Sequence, residues 1–386
     1  MRLVFTGARL FDGQRLLEGR ALLVEDGRIA GFADLASAEA GAFGGEHIAL
    51  AGGVLAPGFL DLQVNGGDGI MVDGSADVER LRRICAAHLR LGATGILPTL
   101  ITDTRAATAA VLAAGSAAAR AAVPGFLGLH LEGPHLDPRR KGAHDPALIR
   151  PMDESDLAML CQAAAELPVL LVTLAPQSVT PEQIAALSRA GVIVSLGHTD
   201  STAAEAKAAF AAGARCVTHL FNAMSQLGNR EPGMVGATLD SDVFCGIITD
   251  GVHVAPEGLR IALAAKRGEG LFLVSDAMAA AGTDVAEFML GGRRILRANG
   301  RLTLEDGTLA GADICLPRSI RYLVQTVGAP LDLALAMATS RPAACIGASD
   351  RLGALAKGRR ADLVHLTGDL ELAGVWHAGA PVPGVT

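Results

Sequence analysis

Eight short aliphatic runs, each followed by an alanine-rich stretch, constrain the fold of this chain more than any other feature. Short β-branched or leucine-rich runs favour strands, and the longer alanine-rich stretches between them favour helices. The predicted strands are Gly58–Val64, Gly95–Thr99, Phe126–Glu132, Val169–Leu174, Val192–His198, Arg215–Leu220, Phe244–Asp250 and Leu271–Ser275. Eight strands alternating with helices predict an α/β fold, a (β/α)₈ TIM-type barrel.

The two ends of the chain differ from this pattern. Asp12-Gly13 and Asp26-Gly27 separate short alternating runs, which is a hairpin signal, and the tail after Gly353 again predicts short strands. We predict that residues 1–54 and 350–386 form one small β-sandwich domain, and that residues 55–349 form the barrel. A chain of 386 residues is long enough for both.

Charge and hydropathy exclude several classes of protein. The formal net charge of −7 argues against a nucleic-acid binder, which must neutralise phosphates with lysine and arginine. The uncharged stretch 106–119 is shorter than the roughly 20 apolar residues of a membrane span. No signal peptide is evident before Asp12, and the six scattered cysteines include no C-x-x-C pair. We therefore expect a cytoplasmic protein with free thiols and no membrane partner.

Polar residues at the carboxyl ends of the predicted strands indicate a metal site. His198 and His219 are 21 residues apart, about one strand–helix unit, so they are expected on adjacent strand tips. Glu132 ends the third predicted strand at the same face. Active sites of such barrels lie at this face, and two imidazoles with one carboxylate are the ligand set of an open catalytic metal site.

Asp276 ends the apolar run of the eighth predicted strand. An unpaired carboxylate is costly to bury there, and one alternative is a helix N-cap. At the rim of the barrel, facing the predicted metal site, Asp276 would instead act as a general base and then as a general acid. We favour this second interpretation.

Several segments, in this order and spacing, resemble the N-acetylglucosamine-6-phosphate deacetylases of the amidohydrolase superfamily over essentially the whole chain. The segments are Pro57–Gly66, His130–Pro134, Lys141–Pro146, Gly197–His198, Thr218–Met224, Arg230–Gly233, Thr249–His253 and Ser275–Met278. The resemblance implies hydrolysis of N-acetylglucosamine 6-phosphate to glucosamine 6-phosphate and acetate. It also implies a homodimer, since the family completes its phosphate site across two subunits.

The resemblance assigns further site residues. His144 would polarise the carbonyl of the substrate amide. Asn222, Ala223 through its backbone, Arg230 and His253 would hold the sugar 6-phosphate. Arginine suits this task because its planar guanidinium donates two hydrogen bonds to phosphate oxygens.

Two positions set the expected number of metal ions. Many amidohydrolases have His-x-His on the first strand and bind a second ion there, whereas this chain has Gln63 and Asn65. Amides bind divalent metals poorly compared with imidazole, so we predict one ion, Zn²⁺, with Fe²⁺ as the alternative. The chain also departs from its relatives near residue 311. It has Asp313 where they carry hydroxyl residues beside the acyl group, which predicts a differently built pocket or a changed substrate.

Alternatives stay open at this stage. The same chemistry on another N-acyl amino sugar, such as N-acetylgalactosamine 6-phosphate, is the nearest. A cyclic amidase, a deaminase and a non-catalytic barrel scaffold are more distant. Among the other histidines, His130 is expected inside the barrel, and His135 is expected at the rim, with or without a role.

Overall fold

The computed structural model describes residues 1–385, which form two compact units. The first contains Met1–Asp61, His88–Gly95 and the chain from Cys315 onward, and the second contains Leu62–Ala87 and Ile96–Ile314. Three helical segments between residues 316 and 345 thus group with the terminal strands. The domain limits at residues 54 and 350 stay a prediction.

The second unit carries the parallel barrel. Its eight barrel strands, in chain order, are Phe59–Val64, Ala93–Ile101, Leu129–Glu132, Leu170–Leu174, Ile193–Leu196, Cys216–Val217, Phe244–Ile247 and Leu271–Leu273. Each is hydrogen-bonded to the next in chain order. A parallel bridge between Val64 and Ala277 joins the first strand to the segment after the eighth and closes the barrel. The predicted TIM-type barrel is confirmed.

Helices follow most of the barrel strands. They are Val78–Arg90, Arg105–Arg120, Glu154–Glu166, Pro181–Arg189, Ala203–Ala212, Gly233–Leu239 and Pro256–Ala265, and a short 3₁₀ turn covers Pro138–Arg140. The helix Ala203–Ala212 shows how local sequence sets their limits. Thr202 and Glu205 form a reciprocal capping box at its start, and Gly213 with φ 121° ends it.

A four-stranded antiparallel sheet is inserted after the eighth barrel strand. It consists of Glu287–Leu290, Arg293–Ala298, Arg301–Leu304 and Leu309–Ala312. One side of it packs through Leu290, Ile295 and Leu302 against Met278, which follows the barrel strand. The insertion therefore brings apolar side chains next to the carboxyl ends of the barrel strands.

The first unit contains a β-sandwich built from both chain ends. One sheet consists of Arg2–Thr6, Arg20–Glu25, Arg28–Asp34 and Glu46–Ala49; the other of Arg9–Phe11, Leu16–Leu17, Val54–Pro57, Leu363–Leu366, Leu372–His377 and Ala380–Pro381. Phe5 from the first sheet and Trp376 from the second meet edge to face, with ring centroids 5.1 Å apart. Asp26 and Gly27 form the predicted two-residue turn, both with positive φ. The small domain formed by both ends is confirmed.

Helical segments complete the first unit. They are Leu35–Glu39, Leu316–Tyr322, a π-helical turn Leu323–Val327, Leu331–Ala338 and Ser340–Cys345. Among residues 1–385, no helix has the length and apolar character that crossing a membrane requires.

Candidate metal centre and active site

Three side chains from three barrel strands converge at the carboxyl face of the barrel. Nε2 of His219 lies 3.0 Å from Oε1 of Glu132, and Nε2 of His198 lies 3.3 Å from the same oxygen. The two imidazole Nε2 atoms are 3.1 Å apart. All three side chains are buried. The three residues proposed from sequence as metal ligands thus lie together.

This cluster has the chemistry and spacing of a cation site. A tetrahedral ion with bonds of about 2.0–2.1 Å holds its ligand atoms about 3.3–3.4 Å apart, close to the distances between these atoms. Two imidazole nitrogens that face one another and one carboxylate oxygen need a positive charge between them. Burial alone would raise the pKa of Glu132, but hydrogen bonds from His198 and His219 outweigh it and hold that pKa well below its usual range. The residues therefore fit a divalent ion.

The backbone at these strand tips is in the left-handed region. His198 has φ 47°, His219 has φ 31° and Asp276 has φ 50°. Residues other than glycine rarely adopt such angles, and when they do they cluster at functional sites. The strand ends therefore turn sharply where each functional side chain enters the site.

His198 is oriented from behind by the 3₁₀ turn. Its Nδ1 lies 2.8 Å from the backbone carbonyl oxygen of Arg140, which can only accept, so Nδ1 carries the proton and Nε2 presents its lone pair to the cluster. The side chain of Arg140 pairs with Asp200 at 2.7 Å. Because Asp200 follows His198 by two residues, this ion pair joins the 3₁₀ turn to the strand end that carries the ligand.

Asp276 accepts hydrogen bonds from the two amides of the first barrel strand. Nε2 of Gln63 donates to Oδ1 of Asp276 at 3.1 Å and also to Oε1 of Glu132 at 3.1 Å, and Nδ2 of Asn65 donates to Oδ1 of Asp276 at 2.7 Å. Burial raises the pKa of Asp276 to about 6, with a further contribution from the charge of Glu132. A carboxyl group with this pKa can both take up and release a proton near neutral pH.

His144 is a neutral hydrogen-bond donor. The backbone N–H of Thr102 donates to Nδ1 of His144 at 3.2 Å, so the proton of the neutral ring lies on Nε2. Burial, together with the nearby imidazole of His198, lowers the pKa of His144 well below its ordinary value. Nε2 lies 3.9 Å from Oε2 of Glu132, beside the candidate metal site.

These residues line a cavity of about 390 Å³. The wall includes Glu132, His144, His198, His219 and Asp276. Three of the four residues predicted to bind the substrate also line it, namely Asn222, Ala223 and His253. The fourth, Arg230, is not among the lining residues of this cavity and is exposed in the loop before Gly233. Within one chain, the structure therefore separates Arg230 from its predicted partners.

The inserted sheet gives the cavity an apolar wall. Met278, Leu290 and Leu309 line this side together with Gly311. Gly311 has φ +66°, and a Cβ there would lie 2.6 Å from Cγ of Met278, so only glycine fits. Asp313, the departure noted in the sequence, is bound by the guanidinium of Arg297 at 2.9 Å through both carboxylate oxygens.

The two remaining histidines near this face lie outside the metal cluster. His130 is buried in the barrel interior as expected, and its Nε2 lies 2.7 Å from Oγ1 of Thr173. His135 is also buried, and its Nδ1 contacts the carbonyl oxygen of Arg150 at 3.1 Å. His135 therefore packs against the chain rather than lining the cavity.

Sequence reasoning missed several residues of the site. Arg139 and Arg140 line the cavity, and the basic run 139–141 could have drawn attention to them. Thr102 and Asp250 act on His144 and His253 through hydrogen bonds. Their contribution depends on contacts between side chains, or between side chain and backbone, that no sequence pattern marked.

Comparison with known proteins was consistent across sequence and structure. The model of the amidohydrolase family matches residues 54–382. The chain is 41% identical to an N-acetylgalactosamine-6-phosphate deacetylase of Shewanella sp. (strain ANA-3), over 98% of this chain and 95% of that protein. It is 38% identical to an N-acetylglucosamine-6-phosphate deacetylase of Haemophilus influenzae, over 85% and 86%. The crystal structure of N-acetylglucosamine-6-phosphate deacetylase from Pasteurella multocida superimposes with a TM-score of 0.94 at 34% identity, covering 99% of each chain.

Proposed function

Since this chain belongs to the amidohydrolase family, we propose that it is a metal-dependent deacetylase of an N-acetylated amino sugar 6-phosphate, with N-acetylglucosamine 6-phosphate as the principal substrate. The products would be glucosamine 6-phosphate and acetate. One observation carries the proposal: Glu132, His198 and His219 share a cavity with Asp276, a buried carboxyl whose raised pKa suits proton transfer. A non-catalytic scaffold would have no use for this arrangement.

Asp276 moves the proton. Its Oδ1 already accepts two amide hydrogen bonds, so Oδ2 is the oxygen left for the reaction. As an ionised carboxylate it takes a proton from the attacking water, and as the acid it then gives that proton to the nitrogen of the leaving amine. The proton thus returns to the product, and Asp276 is ready for another cycle.

His144 stabilises the charge that develops on the substrate. Its Nε2–H is the donor that Thr102 leaves free to point at the amide carbonyl oxygen, where negative charge grows as water adds. A divalent ion held by Glu132, His198 and His219 would supply Lewis acidity and would acidify water at neutral pH. Zn²⁺ is the ion we propose, with Fe²⁺ as the alternative, because two imidazoles and one carboxylate suit both.

A single ion is supported by the amides on the first barrel strand. Gln63 places its N–H group between Glu132 and Asp276, at 3.1 Å from each carboxylate. A donor in this position compensates the two negative charges, as a second cation would otherwise do. We therefore propose one ion per chain.

The phosphate group would be held at the other side of the cavity by Asn222, Ala223 and His253. Arg230 is exposed and carries a charge that suits phosphate, on a loop that also exposes Leu227. We propose that two copies of the chain associate, so that Arg230 of one subunit completes the phosphate site of the other. All six cysteines are free, which supports a reducing, cytoplasmic location.

Acetate release from a panel of sugars tests the proposal. N-acetylglucosamine 6-phosphate, N-acetylgalactosamine 6-phosphate and both unphosphorylated sugars would be compared, with an Asp276→Asn protein as the matched blank. We expect the 6-phosphates to react with higher kcat/KM than the free sugars. Equal rates for phosphorylated and free sugars would contradict the phosphate site, and no acetate from any sugar would contradict the deacetylase.

N-acetylgalactosamine 6-phosphate is the second candidate substrate. The 41% identity over 98% of the chain to the Shewanella protein of that name favours it. The two sugars differ only in the configuration at C4. The ratio of kcat/KM for the two 6-phosphates decides between them.

A further inference from the structure

Asp250 and His253 form a buried pair at the edge of the cavity that the roles assigned so far do not explain. Nδ1 of His253 lies 2.6 Å from Oδ2 of Asp250, and the two side chains are only 8% and 5% exposed. The other carboxylate oxygen, Oδ1, accepts from the backbone N–H of Val252 at 2.9 Å and of His253 at 2.8 Å. Both oxygens of Asp250 are therefore committed to the segment that carries His253.

The carboxylate fixes which nitrogen of His253 can reach a ligand. Burial alone would raise the pKa of Asp250, but the hydrogen bonds and the charge of His253 outweigh it, so the pKa is lowered and the group is ionised. An ionised carboxylate only accepts, so Nδ1 of His253 must carry a proton. The nitrogen left for a ligand is then Nε2, on a ring whose χ angles are held by Asp250.

We propose that Asp250 is a positioning residue that presents Nε2 of His253 to the phosphate of the substrate and balances the charge of the imidazolium form. Nε2 can donate to a phosphate oxygen only when it too carries a proton, and the ring is then cationic. The adjacent carboxylate compensates that positive charge inside the protein. This inference rests on the proposed function, because it assumes a phosphorylated ligand in the cavity.

The Asp250→Asn substitution tests the pair while keeping the turn. Oδ1 of the asparagine can still accept from Val252 and His253, but its amide nitrogen would donate to Nδ1. His253 would then be neutral, with its proton on Nε2. A neutral hydrogen bond to phosphate is about half as strong as a charge-assisted one, so we expect KM for the 6-phosphate substrate to rise about tenfold. The kcat value should stay within about twofold of the wild-type value, since the metal cluster and Asp276 are untouched.

Asp12→Asn is the matched control. Oδ1 of Asp12 accepts from the backbone N–H of Gln14 and Arg15, two and three residues on, as Asp250 does. Asp12 belongs to the other compact unit. We expect wild-type KM and kcat for this variant. An Asp250→Asn protein with wild-type KM, or with reduced kcat and unchanged KM, would overturn the proposal.

Two further measurements keep the outcomes distinct. Calorimetry with glucosamine 6-phosphate on the metal-loaded protein measures the same site without turnover. If the wild-type protein binds this sugar phosphate but releases no acetate, the deacetylase proposal fails and the role of Asp250 is decided by the change in Kd. The ¹⁵N spectrum of wild-type histidines covers the case in which the variant does not fold. A His253 ring without a proton on Nδ1 would refute the pairing.

Discussion

Asn65 and Asp276 are joined by a hydrogen bond of 2.7 Å from Nδ2 to Oδ1, although 211 residues separate them in the chain. This bond, with the one from Gln63, fixes the rotamer of the proposed proton carrier. It also shows what the amides on the first barrel strand do where related enzymes place metal-binding imidazoles. They hold a carboxylate rather than a cation.

Replacing Asn65 with alanine should lower kcat by about 10–100-fold, the range typical of residues that orient a reacting group. KM and metal content should change less than twofold, because Asn65 contacts neither the predicted phosphate site nor the three proposed ligands through a hydrogen bond found here. Steady-state kinetics and metal analysis measure both. Gln14→Ala, at an exposed amide of the terminal unit, serves as the control. A loss of metal in the Asn65→Ala protein would contradict the orienting role.

Replacing Asp276 with asparagine should lower kcat by about 10²–10⁴-fold, the usual contribution of general acid–base catalysis. The protein should still bind its metal, since Asp276 is not among the residues of the metal cluster. Single-turnover acetate release and metal analysis test this. Retention of the wild-type kcat would refute the assigned role.

The pH dependence of the wild-type enzyme should follow the ionisation of Asp276. Burial raises its pKa to about 6, and the base must be ionised to accept a proton. Below that pKa, kcat/KM should fall about tenfold per pH unit, whereas above it the value should level off. A bound cation favours the ionised form, so the acidic limb should lie at or below about pH 6. A limb centred above pH 7 would be inconsistent with Asp276 as the base.

Removal of the metal should abolish activity and lower the melting temperature. An ion that binds the folded chain and not the unfolded one stabilises it by mass action, by about 4 kcal/mol at a thousandfold excess over Kd. Chelation, dialysis and readdition of Zn²⁺ or Fe²⁺, followed by calorimetry and acetate release, measure both effects. We expect one ion per chain on reconstitution. Two stoichiometric ions would contradict the role given to Gln63.

Asp156 should make stability depend on pH in the acidic range. Burial alone would raise its pKa, but hydrogen bonds from Arg150 and Arg105 outweigh it and lower the pKa. The folded pKa thus lies below the unfolded value of about 3.9, so the stabilisation is complete above that value and is lost as the pH falls through the folded pKa. Asp156→Asn should therefore cost about 2 kcal/mol at pH 7 and less at pH 3.

Urea unfolding at the two pH values measures this difference in the free energy of unfolding. The exposed Asp350→Asn variant is the control and should unfold like the wild-type protein at both. A cost for Asp156→Asn that stays the same at pH 3 would show that the arginine contacts do not act through the charge of Asp156.

Much of the fold could be predicted because its signals are local. The barrel strands are short aliphatic runs, and Thr202, Glu205 and Gly213 mark helix limits through contacts within a few residues. The site could be located for a similar reason. In a parallel barrel the carboxyl ends of all strands lie at one face, so Glu132, His198 and His219 had to approach one another once the strands were placed.

The partners of these side chains could not be predicted from the sequence. That Asn65 would donate to Asp276, that Asp250 would hold His253, and that Asp313 would pair with Arg297 rather than face the cavity all depend on distances between segments. Hydrogen bonds and ion pairs of this kind are short-range and directional, so a shift of one ångström makes or breaks them. The sequence by itself determined the barrel and the residue types at its rim, because these follow from periodicity and strand order. Only the tertiary structure decided which of those residues contact one another, and therefore which proton, rotamer and charge each one has.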